Sequence, residues 1–184
     1  MFDQPFPIGP ATRGQLLVAS PHLVDPNFAE TVVFLIEHDN EGAMGVVLNH
    51  AAANEEEAFL AWADYEVDQG LGVAAPSVPF IGGPVAPEYP IVLIGKPDGE
   101  NWHLNVTTNL DALNSEEYVR RRLFFGHAGW EPGQLEGELS EGSWIVVDSL
   151  PDDPFTGDPD GLWRRVLSRQ GGMLRSATTT PQFN

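Results

Sequence analysis

The residues whose types and spacing could do chemistry crowd into one stretch, Gly126-His127-Ala128-Gly129-Trp130-Glu131-Pro132-Gly133-Gln134, with Glu138 one helical turn further on. Gly126–Gly129 reads as a loop before a helix start, a place where backbone N–H groups can turn toward an anion. The spacing here is neither a dinucleotide fingerprint nor a P-loop, and Glu131 would repel an anion at that end. The plainer reading is a set of turn-and-packing glycines. Gln134 and Glu138 are four apart and share a helix face, where they could line a cleft or form a polar rim over the core. Glu136 and Glu138 face different ways, so they do not form a carboxylate pair for acid–base work.

Elsewhere the chemistry thins out. The five histidines are His22, His38, His50, His103 and His127. None pairs at the i, i+4 spacing of a zinc enzyme, and His38, at a turn, is expected to be exposed. A metal set from His22, Asp25 and His38 would need the fold to assemble it. No serine sits in a G-x-S-x-G elbow. There are no cysteines, which removes thiolate chemistry, disulfides and cysteine-bound metals. No catalytic residue, metal or cofactor is therefore assigned, and the residues lean away from an enzyme. Arg120-Arg121-Arg122 is a basic run, read as a solvated helix face. Arg164, Arg165, Arg169 and Arg175 make the C-terminal end locally positive and could meet a phosphate-bearing or acidic partner.

The elements that must position these residues follow from patterning. Pro132 is expected at the first helical position, with Glu131 as cap and Gln134 reaching back to the cap N–H. Trp130 and Leu135 should pack as a hydrophobic staple, Leu139 should share the face of Leu135, and Gly142 should end the helix. Gly14–Ser20, Thr31–Glu37 and Ala43–Asn49 read as strands, the second buried on both faces, with a turn at Asp39–Gly42. Asn54 caps a helix running to about Ala63, and residues 68–79 are a connector. Phe80–Val85 is a short strand entering a glycine turn. Ile91–Ile94 and Trp102–Val106 form a hairpin around Lys96–Gly99, with Trp102, Leu104 and Val106 on one face. Ser115-Glu116-Glu117 is expected to open a short helix containing Tyr118 and Val119. Arg122–Phe125 is a strand feeding the glycine segment, and Ser143–Val147 another. Asp158 caps a last helix with the stripe Leu162, Trp163, Val166 and Leu167. The whole reads as an α+β chain: residues 1–13 a leader, 14–170 one domain, 171–184 a tail.

Composition narrows the function classes. A hydrophobic fraction of 42% with ten Phe, five Trp and three Tyr supplies a core. The 27 acidic against 9 basic residues give −18, which disfavours nucleic acid and anionic membranes. The opening residues lack a basic segment followed by an apolar run, and no apolar run is of membrane-spanning length, so a cytoplasmic location is expected.

Four blocks then carry a resemblance: Gly14–Pro21 continuing to Asp25 and Phe28; Thr31-Val32-Val33 with Glu37-His38 and Gly42–Asn49; Gly82-Gly83-Pro84-Val85; and Phe124 through Trp144. In this order the sequence resembles the AlgH/YqgE family of uncharacterised bacterial proteins, some labelled transcriptional regulators. The resemblance implies a single domain whose mainly antiparallel, forked sheet curls toward a pseudo-barrel with flanking helices. It implies no reaction and no cofactor. The sequence departs from the family's habit at His50-Ala51 and at His127. The resulting expectation is a non-catalytic binding or regulatory protein with a protein or small-molecule partner, homo-oligomers included. Two alternatives stand beside it: a small-molecule receptor or enzyme gathering Asn49, Gly82, Gly83, Gly126, Gly129, Trp130, Gln134 and Glu138, and a nucleic-acid-associated protein using the C-terminal arginines.

Overall fold

Five successive side chains, Val32 to Ile36, are buried on both faces of the strand Val32–Asp39, as an unbroken apolar run with several β-branched residues requires. A computed structural model describes residues 13–52 and 79–171. All of the leader but Arg13, the helix expected from Glu55, nearly all of the 68–79 connector and most of the tail lie outside the described residues. The strands are β1 Gln15–Ala19, β2 Val32–Asp39, β3 Gly42–Val47, β4 Phe80–Ile81, β5 Val85–Asp98, β6 Asn101–Thr107, β7 Arg120–Trp130 and β8 Trp144–Asp148. Among the described residues there are also two helices, α1 Gln134–Ser140 and α2 Leu162–Ser168, and two 3₁₀ turns, Leu110–Leu113 and Asp153–Phe155.

The strands form one eight-stranded sheet in the order β6-β5-β7-β3-β2-β1-β8, with β4 attached to β7. Every pairing is antiparallel except β4 with β7. This is an α+β domain with an open sheet. The fork lies on β7. One edge of β7 pairs with β5 from Pro90 to Gly95. The other edge holds β3 against Ala128–Trp130 and β4 against Phe124 and Phe125. β3 therefore leaves β7 beyond Gly45 and β4 takes its place.

Alternation sorts the side chains into three clusters. The main core draws on β1 through Leu16 and Val18, on β2 through Phe34 and Ile36, on β5 through Leu93, on β7 through Phe124 and on β8 through Val147. Leu104 and Val106 of β6 pack on the same core. Strands from both ends of the sheet thus touch one cluster, so the sheet curls round it without closing. The stripe Leu162, Trp163, Val166 and Leu167 of α2 is buried there, and Trp163 Nε1 donates to the Ala19 carbonyl at 2.8 Å. Leu17, Val33, Leu35 and Ala128 face the other way and are covered by Leu135 of α1. Val92, Ile94, Leu123 and Phe125 pack against the turn Leu110–Leu113.

Several expectations need correction. Residues 126–129 are not a loop: β7 continues through them to Trp130, because β3 and β5 supply partners on either side. The helix expected from Ser115 is absent. The local 3₁₀ turn comes earlier, at Leu110–Leu113, where Asn109 Oδ1 accepts the Asp111 N–H at 2.9 Å. Val119 is 66% exposed and has no apolar face to join. Pro132 is not inside the helix. Glu131–Gln134 is a turn with Pro132 second and Gly133 third, closed by Gln134 N–H on Glu131 O at 3.0 Å. Gly133 takes φ +78, the left-handed geometry of a type II third position, and α1 starts after it. Lys96 and Pro97 belong to β5, and the hairpin turns at Gly99 and Glu100. Asp158 does accept the Gly161 N–H at 3.1 Å, but regular helix begins at Leu162. The arginine run lies on a strand, not a helix.

Candidate functional site

The corner that follows β7 is built round one carboxylate. Glu138 Oε2 accepts the Trp130 indole N–H at 2.8 Å and the Trp144 indole N–H at 2.7 Å. Its Oε1 accepts Gln134 Nε2 at 2.9 Å. Gln134 Oε1 in turn accepts the Glu131 backbone N–H at 3.0 Å, so the reach-back expected of Gln134 is present although the helix starts later. The two indoles meet edge to face at 5.9 Å, and Phe28 stacks on Trp130 and meets Trp144 edge-on. Trp130 and Leu135 are buried in one cluster as expected, but with Gly133 as the cap they do not hold the positions of a hydrophobic staple. Gly142 N–H on Leu139 O and Ser143 N–H on Glu138 O at 2.9 Å close α1 as a Schellman motif. Phe28 and Trp144 are members that spacing around Trp130 alone does not reveal, since both come from outside its turn.

Beside this corner, His38 Nε2 lies 2.8 Å from Glu136 Oε1 with only 5% of the His38 side chain exposed. The expected exposure of His38 is therefore wrong, because α1 folds back over β2 and covers it. The Glu136 carboxyl sits below its ordinary range, first through its own backbone N–H and then through His38.

The glycines converge at the fork. A Cβ on Gly82 would lie 2.3 Å from the Gly126 carbonyl oxygen, and one on Gly83 2.2 Å from the His127 carbonyl carbon. Gly82 N–H donates to Phe125 O and Val47 N–H to Gly82 O, each at 2.8 Å. Only bare backbone fits where the two chains touch. Asn49 enters from the end of β3. Its Oδ1 accepts the Val32 N–H at 2.9 Å, and its Nδ2 donates to the Glu30 carbonyl at 2.8 Å. The next residue, His50, accepts the Ile81 N–H on its carbonyl at 2.8 Å. Burial holds both His50 and His127 below the ordinary imidazole pKa. Most of the eight residues singled out from sequence thus fall into two groups. Gly82, Gly83 and Gly126 meet at the fork; Asn49 turns its side chain away to Val32 and Glu30; Trp130, Gln134 and Glu138 meet at the corner. Gly129 lies between them on β7, opposite Met44. From Gly126 to Trp130 the strand runs about 13 Å.

Two clefts among the described residues lie elsewhere. One, of about 530 Å³, occupies the seam where the curled sheet stays open. Phe34 and Ile36 of β2, Trp102, Leu104 and Asn105 of β6, and Arg13 are among its lining. Arg13 donates to Asn105 Oδ1 at 3.2 Å across the seam. The other, of about 620 Å³, lies between Arg120–Arg122 on β7 and Asp152–Gly157. Arg120 stacks over Trp102 at 4.2 Å and pairs with Asp152. Arg121 donates to the carbonyls of Leu113, Ser115 and Tyr118. Among the C-terminal arginines, Arg165 pairs with Asp158 and Arg169 with Asp153, while Arg175 lies outside the described residues. Among the described residues no group of three or more His, Asp or Glu is arranged to hold a metal ion.

The AlgH-like family model matches residues 16–175. The chain belongs to the AlgH-like family. A UPF0301 protein of Streptomyces coelicolor is 41% identical over 183 residues, covering 91% of each chain. A UPF0301 protein of Mycobacterium leprae is 35% identical, over 91% of this chain and 87% of its own. The solution structure of the AlgH protein of Pseudomonas aeruginosa superposes with a TM-score of 0.68 at 28% identity, over 100% of both chains. The crystal structure of a Corynebacterium diphtheriae protein does so with a TM-score of 0.71 at 26% identity, over 98% of this chain and 95% of that one. The AlgH-like family has no characterised biochemical function. Among the described residues no helix is long and apolar enough to cross a membrane.

Proposed function

We propose that the protein is a cytoplasmic, non-catalytic binding protein that takes a small amphipathic molecule in the seam of its open sheet. The observation that carries this reading is the seam cleft itself. Its volume of about 530 Å³ falls within the range of about 300–1,000 Å³ usual for small-molecule sites. Phe34, Ile36 and Leu104 offer an apolar floor, and Arg13 and Asn105 supply a donor and an acceptor at the rim. A ligand with an aliphatic body and a carboxylate fits that division. Because the lining joins β6, at one end of the sheet, to β2 and to Ser149–Pro151 just beyond β8, occupancy would tie these segments together, which gives a regulatory role a physical basis.

A second reading places the ligand at the fork, where Gly82, Gly83 and Gly126 meet beside the backbone of His50 and His127 and Asn49 precedes His50 in the chain. One experiment separates the two. The labelled full chain is titrated with six- to ten-carbon carboxylates, and amide and side-chain NMR shifts are followed. Saturable shifts at Arg13, Trp102 and Asn105, with every probe recovered chemically unchanged, support the seam. Shifts centred on Asn49, Gly82, Gly126 and His127 move the site to the fork. Turnover of any probe ends the non-catalytic reading.

A further inference from the structure

Nine lysines and arginines serve a chain with 27 acidic side chains, and Arg120, Arg121, Arg122 and Arg165 line a single cleft. The carboxylates of this region are already engaged. Asp152 pairs with Arg120. Asp153 accepts Arg169 Nη2 on both oxygens at 2.8 Å and the Leu150 N–H at 2.8 Å. Asp158 pairs with Arg165 at 3.1 Å. Among the described residues Arg122 has no carboxylate partner. Its Nη2 donates to the Thr156 carbonyl at 2.6 Å, its guanidinium lies over the Phe80 ring at 4.3 Å, and its Nη1 is buried without a hydrogen-bond partner. Burial lowers its pKa to about 10. A cation taken out of water without a counter-charge is costly, and the ring face offsets only part of that.

A second guanidinium arrives at the same residue. Arg165 Nη2 donates to Thr156 Oγ1 at 2.7 Å, so Arg122 holds the carbonyl of Thr156 and Arg165 its hydroxyl. Gly157 beside them has open space where a side chain would stand. We propose that this cleft binds a compact phosphate-class oxyanion, either inorganic phosphate or the phosphoryl group of a small monoester, between Arg122 and Arg165 beside Thr156. Its terminal oxygens can serve two guanidinium forks at once, and its charge supplies the counter-ion that Arg122 lacks. A polyanion is opposed by the net charge of −18.

Calorimetric titration and thermal unfolding of the full chain test this, using inorganic phosphate, glycerol 3-phosphate, a short single-stranded oligonucleotide and sodium chloride at matched ionic strength. Phosphate is expected to raise Tm above the chloride control. Arg165→Gln, whose side chain is partly exposed, is expected to keep the fold and weaken phosphate binding about tenfold, the loss of one charge-assisted hydrogen bond. Arg122→Gln is expected to abolish the effect of phosphate; if that variant does not fold, Arg165→Gln decides alone. Tighter binding of glycerol 3-phosphate assigns a monoester, and equal or weaker binding assigns free phosphate. Phosphate acting no differently from chloride, equal affinity in Arg165→Gln, or tighter binding of a short single-stranded oligonucleotide would each overturn the proposal.

Discussion

Glu138 shows how much one side chain can hold. It accepts two buried indole N–H groups on one oxygen and the Gln134 amide on the other. Both rings are at most 6% exposed, so neither N–H has ready access to water if the carboxylate is lost. Glu138→Ala should therefore lower unfolding free energy by about 2–4 kcal/mol, the penalty for two buried donors left without an acceptor. Glu138→Gln keeps an oxygen for the indoles but places an amide donor against Gln134, and should cost about 1 kcal/mol. Glu136→Gln, on the exposed side of the same helix, should leave stability close to that of the wild type. Urea unfolding of the three variants, with near-UV circular dichroism for the indole environment, checks the order. A Glu138→Ala variant as stable as Glu136→Gln would show that the indoles are held by packing alone. The sequence places Gln134 and Glu138 on one face, but their partners Trp144 and Phe28 become visible only once β8 and the 21–30 loop fold back on the corner.

At the scale of elements, the same change from glycine to alanine should have three different outcomes. Gly137 lies inside α1 with open space around a new Cβ, so Gly137→Ala should stabilise by about 0.5–1 kcal/mol. Gly133 also has open space but sits at φ +78, so Gly133→Ala should cost about 1 kcal/mol. At Gly83 a Cβ would run into the His127 backbone, and Gly83→Ala should cost more than about 4 kcal/mol or leave the protein insoluble. Thermal unfolding and the amide spectrum of each variant distinguish these outcomes; a folded Gly83→Ala of wild-type stability would mean that the fork is loosely packed. The contrast also explains what patterning could and could not reveal. The strands β1, β2, β3 and β8 and the stripe of α2 were legible because their apolar periodicity reports burial directly. The 126–129 segment reads as a loop because glycines signal both turns and close strand contacts, and only the pairing of β7 with β3 and β5 decides between them. Ser115-Glu116-Glu117 looks like a helix start, but Tyr118 and Val119 supply no sustained apolar face, and the turn forms instead where Leu110 and Leu113 can be buried. For the candidate residues, sequence order identifies Asn49, Gly82 and Gly126 as neighbours of interest, whereas the seam depends on how far the sheet curls, which no local pattern encodes.

For the molecule as a whole, the open sheet, the acidic surface and a few buried cations set how stability responds to pH. The net charge of −18 makes self-repulsion a standing cost, relieved chiefly as carboxylates titrate near pH 4. Between pH 7.5 and 5.5 the histidines act instead. Burial lowers the folded-state pKa of His50 and His127 below the ordinary 6.5. In that window the unfolded chain binds more protons than the folded one, so stability rises with pH. The contribution is complete above the unfolded-state pKa and is lost as pH falls toward the folded-state values. Tm should therefore fall as the buffer is taken from pH 7.5 to 5.5, in the opposite sense to the relief of acidic repulsion. The double variant His50→Gln with His127→Gln should flatten that limb while leaving the response below pH 5 unchanged. Calorimetric scans at constant ionic strength, kept free of phosphate so that the arginine cleft does not contribute, make the comparison. A wild-type Tm that climbs steadily from pH 7.5 to 5.5 would show that repulsion among carboxylates outweighs the two imidazoles even above pH 5, and that His50 and His127 reach water more freely than their burial implies.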